Sequence, residues 1–226
     1  MPDRKNFYIS IVVGTIVLSF GYLMFEPGES RSASDNDQIT VTQVVTGEIS
    51  ISSPVNITMS ATIPGRTGNA LNPATGQVMW TVITSNSSGF NLTLAAFNNP
   101  AMQNSAADSF ANYTSSTSTP DFTWAVADGA AEFGYTVEPE TTADTDQTFM
   151  DNGATCNTGA ANAANSCWFG FNALNAETIV NRSSETNAGG EDELVRFRTE
   201  FNNISASAVL PAGTYTATIT ATATTN

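Results

Sequence analysis

The chain has 226 residues and a formal net charge of −14, with one lysine (Lys5) and no histidine. Without those side chains, most tools of general acid–base and Schiff-base catalysis are missing. The acidic balance also makes nucleic acid and anionic lipid surfaces poor partners, since both need clustered Lys or Arg.

The first element is an apolar run, Phe7 to Phe25, with Arg4 and Lys5 just before it. Its 19 uncharged residues exceed an ordinary signal-peptide core and approach the roughly 20 needed to span a bilayer. Ser10, Gly14, Thr15, Ser19 and Gly21 dilute it, and small-residue cleavage sites exist only at Ser30–Ser32 and Ser32–Ser34, beyond Glu26, Pro27 and Glu29. Residues 1–25 are therefore expected to be a signal-anchor or signal peptide, with everything after them outside the cell, either anchored or secreted. Residues 26–38 are polar and turn-rich, which predicts a juxtamembrane spacer.

Residues 39–226 are long enough for one all-β domain. Ile39–Val45 and Glu48–Ser52 alternate apolar and polar, separated by Thr46 and Gly47. Asn56–Ile63 alternates cleanly, and Gln77–Ser85 and Phe90–Phe97 flank a four-residue connection that predicts a hairpin. Residues 98–119 carry few large apolar anchors and are expected to form a long loop with one short helical turn. Strands are expected where Phe122, Trp124 and Val126 alternate, and again at Phe133, Tyr135 and Val137. A second long loop, 138–165, leads to short strands at Cys167–Phe171 and Glu177–Arg182. Leu194–Asn202 places Val195, Phe197, Thr199 and Phe201 opposite Arg196, Arg198 and Glu200. Thr214–Thr224 sets Tyr215, Ala217, Ile219, Ala221 and Ala223 against a row of threonines. Period-2 patterning throughout, without a long amphipathic helix after the leader, predicts an antiparallel β-sandwich of immunoglobulin-like or jelly-roll-like type.

Cys156 and Cys167 are the only cysteines. In an exported chain an isolated pair predicts a disulfide, and the absence of histidine and of C-x-x-C spacing argues against zinc or redox use. Acidic groups at Asp35/Asp37, Asp144/Asp146/Asp151 and Glu191/Asp192/Glu193 are expected to be solvated loop acids. No cofactor is expected, calcium being the one ligand these acids could attract; the Asp144 run lacks EF-hand spacing. Glu138 and Glu140 show no spacing that marks a glycosidase pair. Trp80 and Trp124 are in phase with apolar neighbours and are expected in the core, and Trp168 over the disulfide. Six N-x-S/T sequons, at Asn56, Asn86, Asn91, Asn112, Asn181 and Asn203, match what chance gives in so Asn- and Thr-rich a chain.

The segment Pro211–Thr222 (PAGTYTATITAT) resembles the closing strand of bacterial surface β-sandwiches, including spore-coat-protein-U-like and pilin-like subunits. Trp80–Thr84 followed by Ser88–Leu94 is similar to a hairpin of secreted bacterial β proteins. The resemblance implies an extracellular structural or adhesive role, with no catalytic residues. The leader and the late cysteine pair depart from the usher-pilin pattern. Three functions are thus in view: a non-enzymatic surface protein, a glycan-binding module built on exposed aromatics, and a secreted hydrolase with a carboxylate pair. For the first, Ile39, Val41, Val44 and Val45 are expected to serve as an assembly strand, since the segment is uncharged, lacks proline and follows a flexible spacer. The partners expected are another copy, a cell-surface or glycan ligand, and the membrane through the leader.

Overall fold

The computed structural model describes residues 4–24, 38–115, 119–172 and 175–226. It divides into two compact units, residues 1–44 and 45–226. The first contains α1 (Arg4–Met24), a 21-residue helix with a mean hydropathy of 2.0 over its most apolar window. At 1.5 Å per residue it is about 32 Å long, enough to cross a hydrocarbon core.

The second unit is β-rich. Its strands are β1 (Ile49–Ile51), β2 (Ala74–Thr84), β3 (Phe90–Ala96), β4 (Met102–Gln103), β5 (Ser109–Asn112), β6 (Ala131–Pro139), β7 (Glu177–Arg182), β8 (Glu191–Phe201), β9 (Thr216–Ala217) and β10 (Ile219–Thr225). One sheet runs β1-β2-β8-β6-β5-β4-β9 and the other β10-β3-β7. All pairings are antiparallel except β5 with β6. The inner faces follow the period-2 phase of each strand. Trp80 and Val82, Phe133, Tyr135 and Val137, and Val195, Phe197 and Phe201 line the larger sheet. Phe90, Leu92, Leu94, Ile179 and Val180 line the smaller one. Each such side chain, fully buried, contributes roughly 1.5–3 kcal/mol.

Several expected elements differ. Gln77–Ser85 and Phe90–Phe97 do form strands, but β2 and β3 do not pair as a hairpin, because both bury their inward rows and must face each other across the core. Asn86–Gly89 instead arches between the sheets, with Gly89 at φ +79° and no room for a Cβ beside the Arg182 carbonyl. Asn56–Ile63 is not a strand; Ser60 alone bridges to Thr75, while Ile57 and Met59 pack over Gly76. Within 98–119 the described residues hold the β4–β5 pair rather than a helical turn. Phe122–Val126 and Cys167–Phe171 are not strands: Asp121 bridges to Trp168 and Phe169 to Tyr135, and Trp124 and Trp168 dock onto the sheet surface instead of extending it. The last strand is broken at Thr218, and its two halves belong to different sheets.

A second apolar cluster covers the outer face of the larger sheet. Tyr113, Trp124, Val126 and Trp168 pack there, over Gly134 of β6, whose missing side chain leaves room for Tyr113 and Trp124. Trp168 thus belongs to this outer cluster, whereas its neighbour Cys167 belongs to the core, so the expected packing of Trp168 over the disulfide is replaced by packing on Trp124.

Candidate functional site

The expected disulfide is present: Cys156 and Cys167 are bonded, with Cα atoms 5.6 Å apart. Its loop is held from inside by Asp151, which is 1% exposed. One oxygen of Asp151 accepts from the Ala163 amide and the other from the Gly153 amide, each at 2.7 Å. Asn162 donates to the Val137 and Phe149 carbonyls, so the long connection 138–165 lies pinned to β6.

The segment expected to serve as an assembly strand is exposed. Residues 38–48 belong to no strand, and Ile39, Val41, Val44 and Val45 are 74–85% exposed. The predicted strand Ile39–Val45 is therefore not formed within this chain; β1 begins only at Ile49, where β2 offers partners from Val82 to Thr84. Glu48, just before it, is fixed by Ser85. In the smaller sheet β10 pairs with β3 along all seven residues, and among the described residues no strand pairs with its other side. That edge carries only Ile, Thr and Ala.

The acidic groups do not act together as the sequence groups them. Asp35 and Asp37 lie outside the described residues. Asp144 pairs with Arg182 at 2.6 Å, Asp146 caps a short 3-10 turn through the Thr148 amide, and Asp151 holds the disulfide loop. Along β8, Asp192 faces outward and accepts from the Thr81 hydroxyl, while Glu191 and Glu193 point into the sandwich. Arg182 of β7 reaches across to Glu191 at 3.1 Å, and Thr141 donates to the other Glu191 oxygen. Glu193 is 1% exposed, and neither of its oxygens has a hydrogen-bond partner among the described residues. Burial first, then the charges of Glu191 and Asp144, push its carboxyl up to about 8. The expectation of solvated acids thus fails at Asp151, Glu191 and Glu193. For the two glutamates the signal was present: carrying the alternation of Val195, Phe197 and Thr199 two steps back puts both on the buried face.

Among the described residues no group of three or more Cys, Asp or Glu side chains is arranged to hold a metal ion. Glu138 forms an ion pair with Arg196 at 2.7 Å, and Glu140 accepts from the Asp192 amide. A closer carboxylate pair is Glu132 and Glu200, directly opposite each other on β6 and β8. Glu200 is buried beneath Trp124, whose indole N–H donates to it at 2.7 Å. Burial raises the carboxyls of Glu200 and Glu132, the former opposed by the Trp124 bond and by Arg198.

No protein-family model matches the chain, and no curated protein is similar enough to it to count as a relative. The functional reading therefore rests on the residues themselves. All three tryptophans are buried, at 8%, 7% and 2% exposure for Trp80, Trp124 and Trp168. Tyr113 stacks on Trp124 at 4.2 Å, and Arg198 lies 5.0 and 5.6 Å from the Trp124 and Trp168 rings. Burial raises the Tyr113 phenol and lowers the Arg198 guanidinium. Two clefts, of about 270 and 410 Å³, open on the sandwich, and neither has a carboxylate in its lining. Of the sequons, Asn56 and Asn181 are exposed, whereas Asn203 is buried and bonded to the Arg66 and Ala208 carbonyls.

Proposed function

We propose that this chain is a non-enzymatic protein of the outer cell surface, structural or adhesive, whose copies associate by strand addition. The observation that carries the reading is the unguarded edge of β10, seven residues without charge or proline. Natural sheets normally protect such an edge with lysine, proline or a bulge. The chain also offers a strand to fill an edge, the exposed alternating segment Ile39–Val45. The apolar helix and the disulfide support a position outside the cell, as an anchored or released protein.

Burial of the three tryptophans weighs against a stacking platform for glycans, and the two carboxylate-free clefts weigh against a hydrolase. Calcium takes no part in this reading. The test compares, by sedimentation and light scattering, the ectodomain beginning at Asp35, the same beginning at Thr46, and the longer version with Thr222→Lys. Only the first should form higher-order species. Equal monomers in all three, at high concentration, would sink the proposal.

A further inference from the structure

We propose that Glu193 carries a proton inside the sandwich at neutral pH, and that losing it loosens the end where Arg182 ties β7 to β8. Four groups meet there. Arg182 comes from the smaller sheet, Glu191 and Glu193 from β8 of the larger one, and Asp144 from the connection after β6. Arg182 is the one cation among them, and its Nη1 is already committed to Asp144 at 2.6 Å and Glu191 at 3.1 Å. With those two carboxylates ionised the cluster carries one net negative charge even when Glu193 is neutral. A third carboxylate would double it in a place sealed from water.

The surroundings of Glu193 give an anion little beyond the pull of Arg182, which burial and the neighbouring carboxylates outweigh. Across the strands its register partners are Trp80 and Pro139, which bring an apolar face and a residue without an N–H. The remaining charge near it, Asp192 on the opposite side of β8, is negative. Both carboxyl oxygens lack a donor and are closed off from solvent. An unpaired buried charge is among the costliest features a fold can hold, and such a group stays neutral instead. This site is independent of the β10 edge and of the segment Ile39–Val45.

The sign follows from linkage. The unfolded chain releases this proton near the ordinary glutamate value, and the folded chain holds it to about 8. The stability contributed by the neutral form is therefore complete below the ordinary glutamate value, declines as pH rises above it, and is fully lost once pH has passed 8. Above that, the third negative charge competes for Arg182, and the tie between the sheets weakens.

The experiment is hydrogen exchange on the full chain in detergent, at pH 7 and pH 9.5, corrected for the intrinsic rate. Peptides covering Glu177–Arg182 and 140–150 should lose protection by about tenfold, the factor supplied by the one pH unit between 7 and the folded value of about 8, above which both states are ionised. Peptides from Ser109–Asn112 should not change. In Glu193→Gln, which keeps the shape of the neutral acid, the pH step should vanish. A wild-type measurement stands beside it: infrared titration in D₂O should show a protonated carboxyl band that persists at pH 7 and bleaches with a midpoint near 8. An unchanged step in Glu193→Gln, or no such band at pH 7, overturns the proposal.

Discussion

Removing the Cys156–Cys167 bond tests how much of this sandwich's stability is held in its unfolded chain. The bond spans 11 positions, and closing a loop of about a dozen residues removes entropy from the unfolded ensemble worth about 3 kcal/mol at 25 °C. Asp151 and Asn162 hold the same loop in the folded protein, but their hydrogen bonds disappear on unfolding and cannot substitute for the cross-link. For a domain of this size each kcal/mol moves Tm by roughly 2–4 °C, so the loss should be roughly 6–12 °C. Two arms separate the cross-link from packing. Reduction of the wild type cuts the bond and leaves both side chains in place. Cys156→Ser with Cys167→Ala also trims a core side chain that is 1% exposed, and should fall a little further. The assay is reversible thermal unfolding followed by near-ultraviolet circular dichroism, with and without reductant. A shift below about 2 °C in both arms would refute the entropy argument, and alkylation of both thiols in unreduced, denatured protein would refute the bond itself.

Arg182→Leu should destabilise by about 3–5 kcal/mol at pH 7, because the buried Glu191 and the half-buried Asp144 are left without their cation; denaturant titration measures the deficit, and a loss below about 1 kcal/mol would contradict the tie described. Gly134→Val should cost about 1–3 kcal/mol or more, since even a Cβ would sit 2.7 Å from the Phe169 carbonyl and from Tyr113. The accompanying signature is a red shift of tryptophan emission as Trp124 is lifted from the sheet, and an unshifted spectrum with unchanged Tm would contradict the packing described.

Wherever one face of a strand is buried, the sequence was legible. Leu194–Asn202 and Phe133–Val137 declare their inward rows because apolar residues dominate there, and the cysteine pair follows from compartment chemistry. Pairing was not legible. Nothing local in Asn86–Gly89 distinguishes a hairpin from an arch between sheets, since both need the same tight glycine turn and the choice lies with distant partners. Phe122, Trp124 and Val126 alternate like a strand, yet Trp124 and Val126 bind the outside of β6 and β8, where a glycine at position 134 makes a seat for Trp124. Glu191 and Glu193 were hidden by their charge, although the strand's own alternation placed them inside.

The order of strands sets a timetable for the newborn chain. β2 waits for β8, whose nearest pairing residue lies more than a hundred positions later, and β3 waits for β7 and finally for β10 at the end of the chain. The smaller sheet is incomplete until Ile219–Thr225 has been made, and β9, a few residues before, must by then have closed the far side of the larger one. A protein wired this way has few local contacts to fold around, so it gathers slowly. Until β8 has been made, β2 and β6 stay unjoined and the larger sheet cannot close over its core, so the chain remains open in the form that passes through a narrow channel.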